Sequence, residues 1–319
     1  MTEFRDGMIA VVEVGSGSVK LLIADGAGLG AGKPDVLRRS IKTRLWSGDG
    51  RSLAPDGLAA TEAAFASFAA ALADAGNPEV AVVGTAVTRT VGDLEPIDQL
   101  SKAAFGVPLE VLSGEREGAL AHAGAVIGRD LPGPVSVIDI GSGSTELATD
   151  AGLDGRVGEG TIRTFSVPIG ARVMTESYLH HDPPGPDELS SALSVAELHY
   201  DDIRREMAGI ARALGEGTLL GVGAIGQIAA VEIGLDDPAA SVDGYRLEKV
   251  AVEEVFRALA TESAADRAFN PGLLPEHVDD IVGGLCVLVE FMRRFGLDEV
   301  IVSERDLRHG LAAELLATK

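Results

Sequence analysis

The chain has 319 residues, 46% of them hydrophobic and 24% charged, which is typical of a folded globular protein of one large or two ordinary domains. This composition excludes a disordered, fibrous or disulfide-stapled protein. The 49 acidic and 27 basic residues give a net charge of -22, which argues against broad electrostatic binding to nucleic acid or to an anionic membrane. An anionic substrate therefore needs a locally basic pocket.

Several features predict a cytoplasmic location. The single cysteine, Cys286, excludes an internal disulfide, and its apolar helical surroundings favour a core position over a nucleophile. Met1 to Gly7 is polar, with no apparent secretory signal. The longest later apolar stretch, Ile281 to Val289, is too short to span a bilayer.

The sequence contains an internal repeat. Val11 to Leu21 reads VVEVGSGSVKL and recurs 126 residues later, from Val137 to Leu147, as VIDIGSGSTEL. In each copy a β-branched run with a carboxylate leads into Gly-Ser-Gly-Ser and then into a second apolar run. This pattern predicts a strand, a tight turn and a second strand, and hence two lobes of related design.

Apolar spacing, Gly and Pro predict an α/β mixture along the rest of the chain. The predicted elements are a helix over Asp56 to Ala75, strands over Val80 to Gly84 and Leu109 to Leu112, a helix over Glu115 to Val126, a helix from Pro186 to about Leu214, a strand over Leu219 to Val222, helices over Glu248 to Ala260 and Glu276 to Phe295, a strand over Val300 to Val302 and a terminal helix. Gly and Pro cluster between Gly128 and Pro134, which predicts lobes over residues 1–128 and 129–319, with the terminal helix free to pack back on the first lobe.

The two Gly-Ser turns are candidate phosphate-binding loops. Glycine lets backbone amides and hydroxyls approach one phosphate closely, and two turns facing across a cleft would clamp a phosphate chain. An ordinary hairpin is the alternative for either copy alone, and the duplication with a preceding carboxylate favours the phosphate loop. A carboxylate beside phosphate is useful if it binds a divalent cation or orients water. Gly221 to Gly226 has dinucleotide-loop spacing after a strand, which by itself is weak evidence and fits a third phosphate or nucleoside loop.

Six segments in this order and spacing resemble the Ppx/GppA phosphatase family of exopolyphosphatases and guanosine pentaphosphate phosphohydrolases. They are Glu13 to Leu22, Gly84 to Arg89, Leu112 to Ala119, Val137 to Leu147, Gly221 to Gly226 and Ser303 to Gly310. The resemblance covers essentially the whole chain. It implies an α/β fold of two ribonuclease-H-like lobes, as in actin, Hsp70 and the sugar kinases, with the active site in the cleft, in the short two-domain form of the family. It also suggests a homodimer.

The resemblance implies roles for individual residues. Glu117 matches the catalytic glutamate that activates water against the terminal phosphorus, whereas its neighbour Glu115 is interpreted as a surface acid. Arg89 matches an arginine whose planar fork suits phosphate. Asp139 and Glu146 match the acidic positions that flank the second turn and assist catalysis.

The same resemblance implies a metal and a substrate site. Glu13, Asp139 and Glu146 are the predicted ligands of Mg²⁺ or Mn²⁺. The predicted substrate-binding residues are Gly15, Ser16, Gly17, Ser18, Lys20, Gly141, Ser142, Gly143, Ser144, Thr145, Gly223 and Gly226. Lys20, Lys42, Arg44 and Arg308 could supply further positive charge to the cleft, although most lone cations of this kind are more typical of a solvated surface.

The first turn departs from the family pattern, which has Asp followed by Gly-Ser-Asn-Ser. Here Glu13 and Gly17 occupy those two positions, Ser142 replaces a usual Gly in the second turn, and Arg172 comes one place earlier than the usual arginine. A carboxylate displaced by one methylene changes the rate steeply in a preorganised site, so these differences bear on rate, metal and substrate.

Three functions remain open at this stage. The first is a hydrolase that removes the terminal phosphate of inorganic polyphosphate or guanosine pentaphosphate, and the acidity of the chain favours short polyphosphate or nucleotide over long polymers. The second is a weakly active or inactive relative that binds a phosphate compound and regulates a partner. The third is an ATP-dependent small-molecule kinase of the same superfold.

Overall fold

The computed structural model describes residues 7–32, 35–46, 52–156, 161–237 and 240–317. The chain divides into two compact units, one formed by Met1–Asp130 with Leu307–Lys319 and the other by Leu131–Asp306. Met1 to Asp6, on which the expectation of no secretory signal largely rests, lie outside the described residues. Within the described ranges, no helix has the length and apolar character needed to cross a membrane.

Both units contain strands and helices in mixed order. The strands are β1 (Met8–Val14), β2 (Ser18–Asp25), β3 (Asp35–Lys42), β4 (Glu79–Gly84), β5 (Leu109–Val111), β6 (Val135–Ile140), β7 (Thr145–Thr149), β8 (Arg163–Val167), β9 (Thr218–Gly223), β10 (Arg246–Glu248) and β11 (Glu299–Val302). The helices are α1 (Gly26–Gly30), α2 (Pro55–Asp74), α3 (Ala86–Thr90), α4 (Glu95–Phe105), α5 (Gly114–Ala125), α6 (Ala171–Tyr178), α7 (Pro186–Glu206), α8 (Ile210–Glu216), α9 (Ala224–Glu232), α10 (Lys249–Leu259), α11 (Ala264–Arg267), α12 (Ile281–Phe295) and α13 (Leu307–Leu316).

The two units contain mixed sheets of the same plan. The first sheet has the order β3-β2-β1-β4-β5, and the second has the order β10-β11-β9-β6-β7-β8. In each, the repeat forms an antiparallel hairpin, β1 with β2 and β6 with β7, and a later strand, β4 or β9, pairs in parallel with its first strand. The two predicted hairpins are confirmed.

Side-chain alternation in β1 decides where its carboxylate lies. Ala10, Val12 and Val14 pack with α2 on one face, whereas Ile9 and Val11 pack with α5 and α13 on the other. Glu13 has the parity of Ile9 and Val11, so it projects toward the face that α5 and α13 cover, because successive side chains of a strand alternate. The terminal helix thus packs on α5 and β1, within the first unit.

Two predicted helices are shorter than expected. The helix predicted from Pro186 to Leu214 ends at Glu206, and α8 starts afresh after Gly209, which has φ +79°. A Cβ on Gly209 would lie 2.5 Å from the amide nitrogen of Gly155, so a close backbone approach interrupts the helix there. Similarly, the residues before Ile281 form a 3₁₀ turn over Pro275–His277 instead of the first turns of α12.

The core of the second unit contains Cys286. Its side chain is fully buried in α12, and burial raises the pKa of the thiol to about 12. The thiolate needed for nucleophilic chemistry is therefore disfavoured, which confirms the expected core position.

Candidate active site

The two Gly-Ser turns contain the same backbone hydrogen bond. The amide of Gly15 donates to the carbonyl of Ser18 at 3.0 Å, and the amide of Gly141 donates to the carbonyl of Ser144 at 3.0 Å. A Cβ added to Gly15 would lie 3.0 Å from that Ser18 oxygen, so the turn favours glycine at this position. The sequence repeat is therefore also a structural repeat.

Neighbouring backbone holds each turn in place. In the first unit the carbonyl of Gly17 accepts the amides of Thr43 at 2.9 Å and Arg44 at 3.0 Å. In the second unit the carbonyl of Ser142 accepts the amides of Arg172 at 3.1 Å and Val173 at 3.2 Å, where α6 begins. These hydrogen bonds engage carbonyl oxygens. A carbonyl oxygen is partly negative and would repel a phosphate, so the bonds occupy groups that are unsuited to phosphate binding.

The strands beside each turn place a charged pair at the equivalent ladder position. In the first unit Glu13 lies directly opposite Lys20, and in the second Asp139 lies directly opposite Glu146. The first pair has opposite charges, whereas the second pair consists of two acids. Two buried carboxylates facing each other are unfavourable unless a proton or a cation lies with them.

Glu13 lies between two basic side chains. Its Oε1 lies 3.4 Å from Nζ of Lys20, and its Oε2 lies 3.6 Å from Nε of Arg308 in α13. The Arg308 side chain is only 8% exposed, so this residue is not one of the solvated cations that the sequence favoured for most of the group. Helix α13 carries it into the buried face of the sheet, a placement that spacing within the sequence did not indicate.

Arg89 and Glu117 form a tight ion pair in the first unit. Nη1 of Arg89, in α3 just after β4, lies 2.6 Å from Oε2 of Glu117 and also donates to the carbonyl of Leu112 at 3.1 Å. Glu117 lies in the first turns of α5, whose N-cap is Ser113. The pairing connects two residues that the family resemblance places in catalysis.

The electrostatic environment of Glu117 is mixed. Burial raises the pKa of this carboxyl above its ordinary value, the guanidinium of Arg89 lowers it, Glu13 raises it further and Lys20 lowers it. The net direction is upward, which favours a carboxylate that accepts a proton readily. The first unit thus brings Glu117, Arg89, Glu13 and Lys20 into one interacting cluster, while Glu115 is exposed as predicted.

In the second unit Asp139 and Glu146 are both buried beside the second turn. Oε1 of Glu146 accepts a hydrogen bond from Ser166 of β8 at 2.8 Å, a partner that sequence reasoning missed. Carboxylate oxygens are the ligands that Mg²⁺ and Mn²⁺ favour, and Mg²⁺ commonly uses one or two carboxylates with water and phosphate oxygens. The facing pair therefore fits a divalent cation, although the described residues contain no group of three or more metal-ligating side chains.

The two candidate glycines after β9 differ in their surroundings. Gly223 has φ +71°, and a Cβ there would lie 2.3 Å from the carbonyl oxygen of Ile140 and 2.7 Å from Oδ1 of Asp139. Gly226 lies inside α9, where a Cβ would meet only Val242 and Val302 side chains, at 3.9 Å. Gly223 therefore belongs beside the acidic pair, and Gly226 packs against apolar side chains.

The remaining predicted residues lie in or next to the turns. Ser16, Ser144 and Thr145 are buried, and the hydroxyl of Thr145 donates to the carbonyl of Ile169 at 2.6 Å. Arg172 is buried and its Nε lies 2.6 Å from Glu176 Oε1. Lys42 ends the edge strand β3, and Arg44 is exposed.

Comparisons with known proteins agree over nearly the whole chain. The model of the Ppx/GppA phosphatase family matches residues 5–319. Exopolyphosphatase 2 of Mycobacterium tuberculosis is 31% identical over 96% of this chain and 98% of its own, and exopolyphosphatase 1 of Mycobacterium leprae is 27% identical over 95% and 88%.

Solved structures show the same fold. An exopolyphosphatase-like protein superposes with a TM-score of 0.85 at 27% identity, over 97% of this chain and 98% of that one. The Aquifex aeolicus member of the Ppx/GppA family superposes with a TM-score of 0.75 at 25% identity, over 98% of both chains. With the two mixed sheets, these likenesses confirm the predicted α/β fold, which is that of the solved Ppx/GppA structures.

Proposed function

The chain belongs to the Ppx/GppA phosphatase family, and we propose that it hydrolyses the terminal phosphoanhydride bond of inorganic polyphosphate, with a preference for short chains. The named relatives are exopolyphosphatases, which supports a hydrolase of acid anhydrides. The net charge of -22 supports short over long polymers, because a long polyanion needs an extended basic surface. Guanosine pentaphosphate is the second candidate substrate.

The observation that carries this proposal is the ion pair between the partly buried Arg89 and the buried Glu117. Phosphoryl transfer to water requires a base that orients and deprotonates the attacking water, and positive charge that neutralises the phosphate oxygens. Glu117 is buried with a raised pKa, so it is suited to accept the proton. Arg89 is 2.6 Å away and has a planar fork that suits a phosphoryl group.

The second unit supplies the carboxylates for a divalent ion. We propose Asp139 and Glu146 as the residues that hold Mg²⁺ or Mn²⁺. Such an ion, when bound, supplies positive charge to phosphate oxygens. The amides of the turns around Gly15 and Gly141, with Lys20, are proposed to contact phosphate oxygens.

Gly226 and Gly221 bear on the kinase alternative. A small-molecule kinase of this superfold would use Gly221 to Gly226 as a nucleoside loop. A Cβ on Gly221 would lie 2.7 Å from side-chain atoms of both Ile225 and Val300, and Gly226 faces Val242. Both glycines thus serve packing, which supports hydrolysis over ATP-dependent transfer.

A phosphate-release panel tests the proposal. Wild-type protein is assayed with pyrophosphate, tripolyphosphate, long polyphosphate and guanosine pentaphosphate, each with Mg²⁺ and with Mn²⁺. We expect release from tripolyphosphate, and a loss of about 10²- to 10⁴-fold on Glu117→Gln, which removes the base. Glu115→Gln is the matched control, because Glu115 is an exposed acid of the same helix turn and its loss leaves the base intact.

Other results of the panel would favour other functions. Tight binding of tripolyphosphate by calorimetry with no turnover under either metal would favour a phosphate-binding regulatory protein. Consumption of ATP that depends on a second substrate would favour the kinase. The homodimer and the cytoplasmic location stay predictions.

A further inference from the structure

The two hairpins carry differently charged pairs of facing residues at one equivalent position of the strand pairing. Asp139 faces Glu146 in the second unit, whereas Glu13 faces Lys20 at the corresponding position of the first. A pair of acids is stabilised by a bound cation, and an acid opposite a lysine already has one. The sequence repeat therefore does not imply two equivalent metal ligands.

Both carboxylate oxygens of Glu13 are directed at protein cations. Oε1 accepts from Nζ of Lys20 at 3.4 Å. Oε2 is buried without a hydrogen bond among the described residues, and Nε of Arg308 lies 3.6 Å from it. A metal ion at Glu13 would have to displace a lysine or a buried arginine.

Arg308 is fixed from a second side. Its Nη1 donates to the carbonyl of Leu21 in β2 at 3.3 Å, so the guanidinium bridges the backbone of β2 and the side chain of Glu13. A glutamate reaches one methylene further than an aspartate. The longer side chain therefore suits a contact with the terminal helix as well as with the adjacent strand.

We propose that Glu13 is a positioning residue that holds Lys20 and Arg308 beside the first turn, and that metal binding in this chain uses Asp139 and Glu146 without Glu13. The proposal rests on the proposed function for its metal and substrate, and it goes beyond it by assigning the residue that departs from the family pattern. A carboxylate in this role keeps the ammonium of Lys20 in place next to the phosphate-binding turn.

Metal binding separates a positioning role from a ligand role. Mn²⁺ alone is titrated into the full-length wild type and into Glu13→Gln, Asp139→Asn and Glu62→Gln, and binding is measured by calorimetry. We expect Glu13→Gln to bind Mn²⁺ within about twofold of wild type and Asp139→Asn to bind it at least about tenfold more weakly. Glu62→Gln removes an exposed acid of α2 and controls for the change in net charge. A loss in Glu13→Gln comparable to that in Asp139→Asn would overturn the proposal.

Kinetics with tripolyphosphate give a second readout. Glu13→Asp restores the residue usual in the family, and if Glu13 were a metal ligand this variant would keep the activity that Glu13→Gln loses. We expect both variants to raise KM several-fold, with the Mg²⁺ concentration for half-maximal rate unchanged. Higher activity of Glu13→Asp than of wild type would contradict the positioning role.

A double-mutant cycle measured by thermal unfolding tests the interaction between Glu13 and Arg308, and it does not require the chain to be active. Arg308→Met leaves Glu13 buried beside fewer cations, so we expect a lower Tm that Glu13→Gln partly restores in the double variant. Arg308→Lys is the milder substitution if Arg308→Met does not fold. Strictly additive Tm shifts would overturn the proposal. A wild type that releases no phosphate would instead contradict the proposed function, and one that binds no Mn²⁺ would contradict its metal site.

Discussion

Nη1 of Arg89 lies 2.6 Å from Oε2 of Glu117, so the residue suited to bind phosphate also holds the residue suited to activate water. The same guanidinium donates to the carbonyl of Leu112, which fixes it relative to the start of α5. Arg89 thus affects Glu117 in two ways, by orienting the carboxylate and by lowering its pKa against the effect of burial.

The pH dependence of phosphate release is expected to change when Arg89 is replaced. Glu117 acts as a base only when ionised, so the rate rises with pH through its pKa. Arg89→Met removes the two contributions that lower this pKa, and the acidic limb of the kcat/KM profile is expected to move to higher pH. Arg89→Lys keeps a positive charge and should move the limb less. An acidic limb that stays in place in Arg89→Met would show that Arg89 does not control the base.

Glu117→Gln is expected to stabilise the fold while it lowers activity by about 10²- to 10⁴-fold. Burial raises the pKa of Glu117, so this carboxyl binds a proton more tightly in the folded chain than in the unfolded one. The free energy of unfolding therefore falls as pH rises from the ordinary glutamate pKa through the raised pKa. Glutamine avoids that cost and still offers Arg89 an oxygen acceptor. We therefore expect a higher Tm than that of wild type at pH 8, measured by thermal unfolding.

The same measurement at acidic pH provides the control. Below the ordinary glutamate pKa the carboxyl is protonated in both states, so the advantage of Glu117→Gln should disappear. A variant less stable than wild type at pH 8 would mean that the ionised carboxylate is a net stabilising group.

The sequence predicted those features that depend on neighbouring residues. Each Gly-Ser turn lies between β-branched runs, and this local pattern was sufficient for both hairpins and for the repeated carboxylate. Position near the start of α5 suggested a surface acid for both Glu115 and Glu117, and only the family resemblance distinguished Glu117, which is the buried one of the two.

Features that depend on distant contacts were not predictable in the same way. The break between α7 and α8 follows from the approach of Gly155 to Gly209, which no local pattern around Gly209 reveals. The burial of Arg308 likewise depends on α13 packing against β1 and α5. One difference could have been predicted from the repeat itself. Aligning its two copies places Lys20 against Glu146, which shows that the two hairpins differ in charge.

Two glycines of one motif are expected to respond oppositely to alanine. Gly223→Ala forces a positive φ on a residue with a Cβ and places that Cβ 2.3 Å from the carbonyl oxygen of Ile140. We expect a loss of about 2 kcal/mol or more in the free energy of unfolding, with weaker Mn²⁺ binding because Asp139 must move. Denaturant unfolding and calorimetry measure the two effects.

Gly226→Ala is the matched control for Gly223→Ala. Its Cβ would have only ordinary contacts at 3.9 Å, inside α9, where alanine is a better helix former than glycine. Stability should be unchanged or higher by up to about 1 kcal/mol. If Gly226→Ala abolishes phosphate release with the fold intact, the sequence interpretation of Gly226 as a substrate loop is supported over packing.

Glu188 is expected to stabilise the second unit over a defined pH range. Its carboxylate accepts the amides of Gly185 at 2.8 Å and His180 at 2.9 Å, and the ring of His181 lies 2.9 Å away. The hydrogen bond from Gly185, the ring of His181 and the other amides lower the pKa of Glu188 to about 2, and Glu188 in turn raises the pKa of His181.

The sign of each shift sets the range. The contribution of Glu188 to the free energy of unfolding is present above the ordinary glutamate pKa, and it is lost as pH falls toward 2. The contribution of His181 is present below the ordinary histidine pKa, and it is lost as pH rises through the raised pKa of His181. Glu188→Gln should therefore lower Tm most near pH 5 to 6, and the difference from wild type should shrink as pH falls toward 2. Asp187→Asn, which removes an exposed acid from the same first turn of α7, should show a smaller and flatter difference across that range. Equal pH profiles for the two variants would assign the effect to the helix dipole and not to the hydrogen bonds of Glu188.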